Sequence, residues 1–233
     1  KEYPSWVSIQ ATYHENPRMD PEDIADAKAS MSENEFKQEY LADFNSYEGQ
    51  IWSINEEKCV REHNITPENR HKVDVLAGLD LGFRDPTAMV IIGYNYEEDM
   101  YYVLDEYYDT AKSTSQHAEK IQEMVQKWDI DYIYIDSAAQ QTRYDLARDY
   151  DIATINADKK SVTDSIGFVS SIIEQDKLIV PPSMEEVLKS LDGYQWDPNP
   201  NLIKEKPIHN MASHMADAIR YALYSHQSSV GSM

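Results

Sequence analysis

Cysteine, glycine and basic residues are scarce in this 233-residue chain, and each scarcity excludes something. The single cysteine, Cys59, excludes a disulfide framework within the chain and favours a reducing, intracellular environment. No apolar run approaches the roughly 20 residues of a transmembrane helix, so no membrane partner is expected. The P-loop motif G-x-x-x-x-G-K-[S/T] is absent, which excludes that class of ATPase. The chain begins at Lys1 with neither a methionine nor a signal peptide, so we expect a piece of a longer protein.

The charge balance is strongly acidic. The chain has 42 acidic and 21 basic residues and a net charge of −21, which argues against a large surface for binding phosphates. The acids can form a solvated surface, or some can be metal ligands, and the two interpretations are compatible. Hydrophobic residues make up 41% of the chain, and 17 tyrosines are among its aromatic residues, so a substantial core is expected.

The residue pattern divides the chain into three parts. Residues 1–72 are polar, with capped helices predicted after Asp20 and Ser32, and we interpret them as a connector without chemistry of its own. Residues 73–226 alternate between apolar strands and amphipathic helices and are expected to form one domain. Residues 227–233 contain serine and glycine and are expected to be a flexible tail.

The order of the predicted elements indicates an α/β fold. Three strands at 75–82, 87–95 and 100–108 follow one another closely, which is typical of an antiparallel meander. Alternating helices and strands follow, which implies a mixed sheet with helices on both faces. Strands are predicted at 131–136, 152–155 and 178–180, and helices from 113, at 140–148, 161–176 and 184–191, and at 211–224 with Asn210 as its cap.

Two of the predicted strands end in an aspartate. Asp80 interrupts the apolar strand Val75–Gly82, where a carboxylate is costly unless it is paired or bound to a cation. Asp136 ends the later apolar run Tyr132–Ile135. Each aspartate alone could simply cap the loop after its strand. If the two strands are neighbours, both carboxylates lie at the same edge of one sheet.

The last helix carries a further pair of polar residues. His214 and Asp217 are three residues apart, so they lie on one face of the helix, a turn apart. The alternative is that Asp217 only pairs with Arg220. Three carboxylates and one imidazole make an oxygen-rich site for a hard divalent ion. Without a cation, clustered carboxylates would repel and raise one another's pKa.

These motifs resemble the C-terminal nuclease domain of large terminase subunits, the DNA-packaging proteins of tailed double-stranded DNA bacteriophages. The resemblance is carried by Gly78–Gly82 with Asp85–Ala88, by Tyr134–Asp136, and most specifically by His214–Ala222. It implies a ribonuclease H-like fold. It also implies that Asp80, Asp136, His214 and Asp217 are the catalytic and metal-binding residues, with Asp85 and Asp192 as secondary acids.

The same resemblance implies a function. We expect a metal-dependent endonuclease that cuts double-stranded DNA concatemers during genome packaging, with little sequence specificity, in the host cytoplasm. The expected cofactor is Mn²⁺ or Mg²⁺, as two ions. The implied partners are DNA, the small terminase subunit, the portal protein and the ATPase domain of the same full-length chain. Basic residues near the expected active edge could contact DNA or be solvated surface: Lys159, Lys160, Lys204 and Lys206.

Other functions share some of these features. A junction resolvase or recombinase-type nuclease would use the same fold and chemistry. The pattern Gly78-x-Asp80-x-Gly82 also opens actin-like and sugar-kinase-like ATPases, but those need further glycine-rich loops, and the chain has only 7 glycines. A non-enzymatic docking module with structural acids is a third alternative. Whether one or two ions bind, and whether His214 is a ligand or a proton shuttle, stays open at this stage.

Overall fold

The computed structural model describes residues 12–16, 18–21, 23–24, 40, 49–82, 85–138, 140–159, 161–199 and 206–230. The chain divides into two compact units, Lys1–Glu48 and Gly49–Met233. In the first unit, a 3₁₀ turn at Tyr13–Glu15 is closed by a reciprocal capping box with Thr12. The two helices predicted for the connector lie largely outside the described residues. The second unit includes residues 49–72, and Trp52 is buried in its core, while a domain boundary at residue 72 stays a prediction.

A six-stranded mixed sheet forms the centre of the second unit, in the order β5-β4-β1-β2-β3-β6. The first three strands pair antiparallel as the predicted meander, and β4, β5 and β6 add in parallel. The order places β1 in the interior, with β2 and β4 as its neighbours. The strands are β1 (Asp74–Asp80), β2 (Thr87–Asn95), β3 (Met100–Asp109), β4 (Tyr132–Ile135), β5 (Ile155–Asn156) and β6 (Leu178–Ile179).

Five helices of eight residues or more surround the sheet in the described part of this unit. Ser113 caps the first with the predicted capping box, and the Asn210 side chain accepts from the Ser213 N–H at the start of the last. Shorter turns lie at Glu56–Cys59 and Pro67–Lys72. The helices are α1 (Thr114–Trp128), α2 (Gln140–Tyr150), α3 (Val162–Glu174), α4 (Glu185–Gly193) and α5 (Met211–Val230).

The domain has one hydrophobic core on each face of the sheet, and alternate side chains of β1 contribute to both. Leu76 faces the layer of α3, α4 and α5, where it packs with residues such as Ile219. Val75, Ala77 and Leu79 face the layer of α1 and α2. Both faces of the central strands are therefore buried, which explains why their sequences are almost continuously apolar. The prediction of a mixed sheet with helices on both faces is confirmed.

Gly78 brings α5 into direct contact with β1. A Cβ atom at this position would lie 1.8 Å from the Ala218 carbonyl oxygen and 2.9 Å from the Ala222 nitrogen. Only glycine permits such a close approach of helix backbone to strand backbone. The consequence for function is positional, because the first turns of α5 are held next to the end of β1, where Asp80 lies.

Two predicted boundaries differ from the structure by more than two residues. The strand predicted at 152–155 is reduced to Ile155–Asn156, because the Ile152 N–H bonds to the Leu146 carbonyl and its side chain enters the core. The last helix continues beyond residue 224 to Val230, since Ser225 and His226 are buried against the rest of the domain. Across the described residues, we find no helix with the length and apolar character needed to span a membrane.

Candidate active site

Asp80 and Asp136 lie at the same edge of the sheet. Asp80 is the last residue of β1, and Asp136 directly follows β4. The two strands are parallel neighbours, and Leu79 is paired with Ile135. Asp80 and Asp136, the residues that follow this pair, therefore lie at the same level of the sheet. This confirms the predicted relation between the two strand ends.

Helix α5 brings His214 and Asp217 to this edge. The His214 Nδ1 lies 2.9 Å from the Asp80 Oδ2, and the imidazole is largely buried. This hydrogen bond to Asp80 is the main reason that the pKa of His214 is raised, with the charge of Asp217 adding to it. The first turns of α5 and the end of β1 thus form one connected polar group.

Asp217 forms an ion pair with Arg220 of the same helix. The Arg220 Nη1 lies 3.0 Å from the Asp217 Oδ1 and also donates to the Tyr194 hydroxyl at 3.1 Å. Burial raises the pKa of Asp217, Arg220 opposes the rise, and the nearby charge of Asp80 adds to it. The sequence-based alternative, an Asp217–Arg220 pair, is therefore present, but it coexists with proximity to Asp80 instead of replacing it.

Asp136 is paired with Lys159. The Lys159 Nζ lies 2.6 Å from one carboxylate oxygen, and the Ala138 N–H donates to the other at 2.9 Å. Burial alone would raise the pKa of Asp136, but these two donors together hold it below its ordinary value. An ammonium group therefore occupies a position on Asp136 that a metal cation could take.

A cavity opens beside the two strand-end carboxylates, on the side of α1 and α2. Its volume is about 310 Å³, and Asp80, Asp136 and Thr142 line it. His117 forms part of its wall and is hydrogen-bonded to the Tyr107 hydroxyl at 2.8 Å. The site therefore has both a charged edge and an adjoining space of the size expected for a small ligand.

The donor atoms at this edge suit a hard divalent cation. The three carboxylates are close enough that Asp217, Asp80 and Asp136 all raise the pKa of Tyr221, after the larger effect of its burial. Within the described residues, however, these three do not offer ligand atoms that all lie within 4.8 Å of one another. Asp136 and Asp217 are each turned toward their cationic side chains, so binding of one ion by all three requires rearrangement of Lys159 at least.

The remaining residues predicted for the site have different surroundings. Asp85 is exposed, and its carboxylate lies 3.9 Å from the His209 Nε2. Asp192 is exposed and accepts a long hydrogen bond from Gln50, at 3.4 Å. Of the four lysines, only Lys159 contacts the carboxylate edge in the described part of the chain. Lys206 is exposed, and Lys160 and Lys204 lie outside the described residues.

Two features of the site were not foreseen. His209 lies beside His214, with ring centroids 4.9 Å apart. Its spacing of five residues from His214, across the start of a helix, was the only signal in the sequence. The second is His117 of α1 in the cavity wall, which is hydrogen-bonded to Tyr107 of β3; this pairing leaves no local sequence pattern.

Residues 77–226 match the family model described as Terminase RNaseH-like domain. The chain belongs to this family. The match covers most of the sheet, the carboxylate edge and most of α5, so it includes every candidate metal ligand described above. The resemblance to terminase nuclease domains is confirmed, and the mixed sheet is the ribonuclease H-like sheet of this family. Family membership also supports a nuclease role over the ATPase and docking alternatives.

Similar proteins are terminases of bacteriophages. The chain is 42% identical over 229 residues to the terminase large subunit of Escherichia phage T5, which covers 95% of this chain and 52% of that protein. The chain therefore spans about half the length of this relative.

Solved structures show the same fold at lower identity. The nuclease domain of the P22 large terminase superposes with a TM-score of 0.60 at 16% identity, over 77% of this chain and 93% of that one. The nuclease domain of the bacteriophage SPP1 large terminase, solved with bound Mn, gives a TM-score of 0.56 at 22% identity, over 74% of this chain and 98% of that one.

Proposed function

We propose that this domain is a divalent-metal-dependent endodeoxyribonuclease that cuts double-stranded DNA concatemers during viral genome packaging. The observation that carries the proposal is the convergence of Asp80, Asp136 and Asp217 at one sheet edge inside a terminase family domain. The bound Mn of the SPP1 nuclease domain supports Mn²⁺ or Mg²⁺ as the cofactor, and three carboxylates would supply enough acidic ligands for two ions.

We assign each residue at the edge a role that is consistent with its contacts. Asp80, Asp136 and Asp217 would hold the metal, and Asp80 also orients His214. When bound, the metal supplies charge stabilisation at the phosphodiester and activates the attacking water. His214 can hold or pass a proton next to this edge, because its Nε2 is not engaged by Asp80.

Lys159 and the cavity supply the positioning of the substrate. The Lys159 ammonium pairs with Asp136, and it would be free to contact the DNA backbone if a cation held that carboxylate. The cavity of about 310 Å³ beside Asp80 is large enough for part of a nucleotide. Lys159 thus exchanges one anionic partner, Asp136, for another, a phosphate of the substrate.

We infer the wider biological setting from membership of the terminase family. The full-length protein would join this domain to a packaging ATPase, and the small terminase subunit, the portal protein and DNA would be its partners in the host cytoplasm. The net charge of −21 indicates that the isolated domain binds DNA weakly. Other parts of the packaging machine would then supply most of the affinity for DNA.

The test is cleavage of plasmid DNA by the chain in the presence of Mn²⁺, Mg²⁺ or EDTA. We expect nicking and linearisation with Mn²⁺ and none with EDTA. Asp80→Asn, Asp136→Asn and Asp217→Asn should each abolish cleavage, whereas Asp149→Asn, at an exposed position on α2, should not. Cleavage that survives Asp80→Asn would refute the proposal. Faster cutting of four-way junctions than of duplex DNA would instead favour the resolvase alternative.

A further inference from the structure

A second group of ligand-type side chains lies beside the carboxylate edge. It consists of Asp85 from the loop between β1 and β2, His209 from the segment before α5, and His214. One ligand atom of each residue lies within 4.8 Å of the others. Since metal–nitrogen and metal–oxygen bonds are about 2.0–2.2 Å, ligand atoms on one ion lie roughly 3–4 Å apart. Small side-chain movements therefore suffice for the three to share an ion.

His214 is oriented as a metal-bound histidine usually is. Its Nδ1 is hydrogen-bonded to the Asp80 carboxylate at 2.9 Å. Histidines that ligate metals commonly donate the other ring N–H to a carboxylate, which fixes the tautomer and makes the free nitrogen more basic. With Nδ1 engaged by Asp80, the Nε2 is the nitrogen that remains to bind a cation.

His209 has two polar neighbours. Its Nδ1 lies 3.4 Å from the Ser213 hydroxyl, and its Nε2 lies 3.9 Å from the Asp85 Oδ2. A separation of 3.9 Å is too long for a hydrogen bond but fits two ligands of the same ion. The His209 and His214 rings meet at an angle of 75°, so they are not stacked face to face.

The chemistry of this group differs from that of the carboxylate edge. Two imidazoles and one carboxylate form the ligand set used for zinc and other first-row transition metals, whereas Mg²⁺ and Ca²⁺ prefer oxygen alone. Asp85 and His209 have exposed side chains, so an ion can reach them from solvent.

We propose that Asp85, His209 and His214 form a second metal site, which binds a transition-metal dication such as Zn²⁺ or Co²⁺ in preference to Mg²⁺. It shares His214 with the predicted catalytic group, and its other two ligands, Asp85 and His209, distinguish it from the oxygen-rich site of Asp80, Asp136 and Asp217. The proposal goes beyond the nuclease function and does not require it, because the site is defined by its ability to bind metal.

The test is Co²⁺ binding to the whole chain. Visible absorption and calorimetry measure the binding, and excess Mg²⁺ is added to occupy the oxygen-rich site. We expect the absorption spectrum of nitrogen-ligated Co²⁺, and excess Mg²⁺ should not displace the bound Co²⁺. His209→Ala and Asp85→Asn should weaken Co²⁺ binding by at least about tenfold. The matched control is His71→Ala, which removes an exposed histidine from the segment Pro67–Lys72. Asp136→Asn should leave this binding intact.

Several outcomes would overturn the proposal. One is Co²⁺ affinity in His209→Ala equal to that of the unmodified chain, and another is an equal loss in His71→Ala. Displacement of Co²⁺ by Mg²⁺ would place the ion at the carboxylates instead. Because Asp85 and His209 are 61% and 72% exposed, both variants should fold, and thermal unfolding checks this. Failure of DNA cleavage would count against the nuclease function alone, since metal binding is measured without DNA.

Discussion

The Arg220 guanidinium contacts the Asp217 carboxylate at 3.0 Å from within the same helix, with Arg220 almost fully buried. It also donates to the hydroxyl of Tyr194. The ring centroid of Tyr194 lies 4.7 Å from that of Trp52. The chain segment before β1 is thereby connected to a residue of the candidate active site. Arg220 acts on the site through Asp217, as a positioning residue.

Replacement of Arg220 by methionine should damage both stability and metal binding. The change leaves the Asp217 carboxylate without its cation in a partly buried position, at a cost of about 1–3 kcal/mol in the free energy of unfolding. Mn²⁺ binding should weaken because Asp217 is no longer held in place. Denaturant unfolding and calorimetry measure the two effects. Tyr194→Phe is the control, since it removes only the second acceptor of Arg220, and an equal loss in that variant would contradict a specific role for the ion pair.

A methyl group at Gly78 should separate α5 from β1. The added Cβ would meet the Ala218 carbonyl at 1.8 Å, and a backbone atom cannot move aside as a side chain can. We expect Gly78→Ala to lower the free energy of unfolding by more than about 2 kcal/mol. Because His214 and Asp217 are on α5, nuclease activity should fall even under conditions in which the variant stays folded.

Gly167 provides the matched control for this substitution. It lies inside α3, and a Cβ there would meet nothing within 4 Å. Gly167→Ala should therefore stabilise the domain by about 0.5–1 kcal/mol through helix propensity. Chemical denaturation of the two variants side by side distinguishes a local steric clash from a general effect of glycine replacement. Similar stabilities in the two would show that the close approach at Gly78 is not required.

The strand-end carboxylates illustrate what could be predicted from the sequence. Asp80 and Asp136 each end an apolar run, and the rule that neighbouring parallel strands end at one edge was enough to bring them together. The caps at Ser113 and Asn210 likewise depend on nearby residues, so their signals are local. The family resemblance rested on such local motifs as well.

Contacts between distant segments could not be predicted in the same way. The Lys159–Asp136 pair joins residues 23 positions apart, and the His209–Asp85 contact joins two segments that only the packing of α5 on β1 brings close. The end of α5 was missed because burial of His226 extends the helix, although serine and glutamine nearby are typical of a frayed end. Tertiary packing overrode the local composition there.

Lys159→Met should strengthen metal binding at the carboxylate edge. The Lys159 ammonium lies 2.6 Å from the Asp136 Oδ2 and competes with a metal cation for that oxygen. Because the pair is partly exposed, the gain in Mn²⁺ affinity should be about two- to fivefold. Calorimetry with Mn²⁺ measures the change, and Lys120→Met, at a surface pair with Glu123, is the control.

The same variant separates the two proposed roles of Lys159. If the released ammonium contacts the DNA backbone, Lys159→Met should bind Mn²⁺ more tightly and yet show a higher KM for DNA. Weaker Mn²⁺ binding would mean that the lysine supports the site instead of competing with the metal. An unchanged KM for DNA would show that Lys159 does not contribute to DNA binding.

The buried histidine His226 should make the domain less stable in mild acid. Its ring lies among Tyr94, Tyr96 and Tyr132. Burial lowers the pKa of His226 below its ordinary value, although the charge of Asp74 opposes the shift. The folded protein therefore binds fewer protons than the unfolded chain as the pH falls through the unfolded pKa near about 6.5. Stability is lost on acidification and recovered as the pH rises.

Replacement of His226 by phenylalanine isolates this contribution, because it keeps the aromatic packing and removes the titration. His226→Phe should lose less stability than the unmodified chain between about pH 7.5 and pH 5.5. Denaturant unfolding of both proteins at both pH values gives the difference, which cancels contributions from other titrating groups. Parallel pH profiles of the two proteins would show that His226 does not contribute, since a histidine with equal pKa in the folded and unfolded chains leaves stability independent of its protonation.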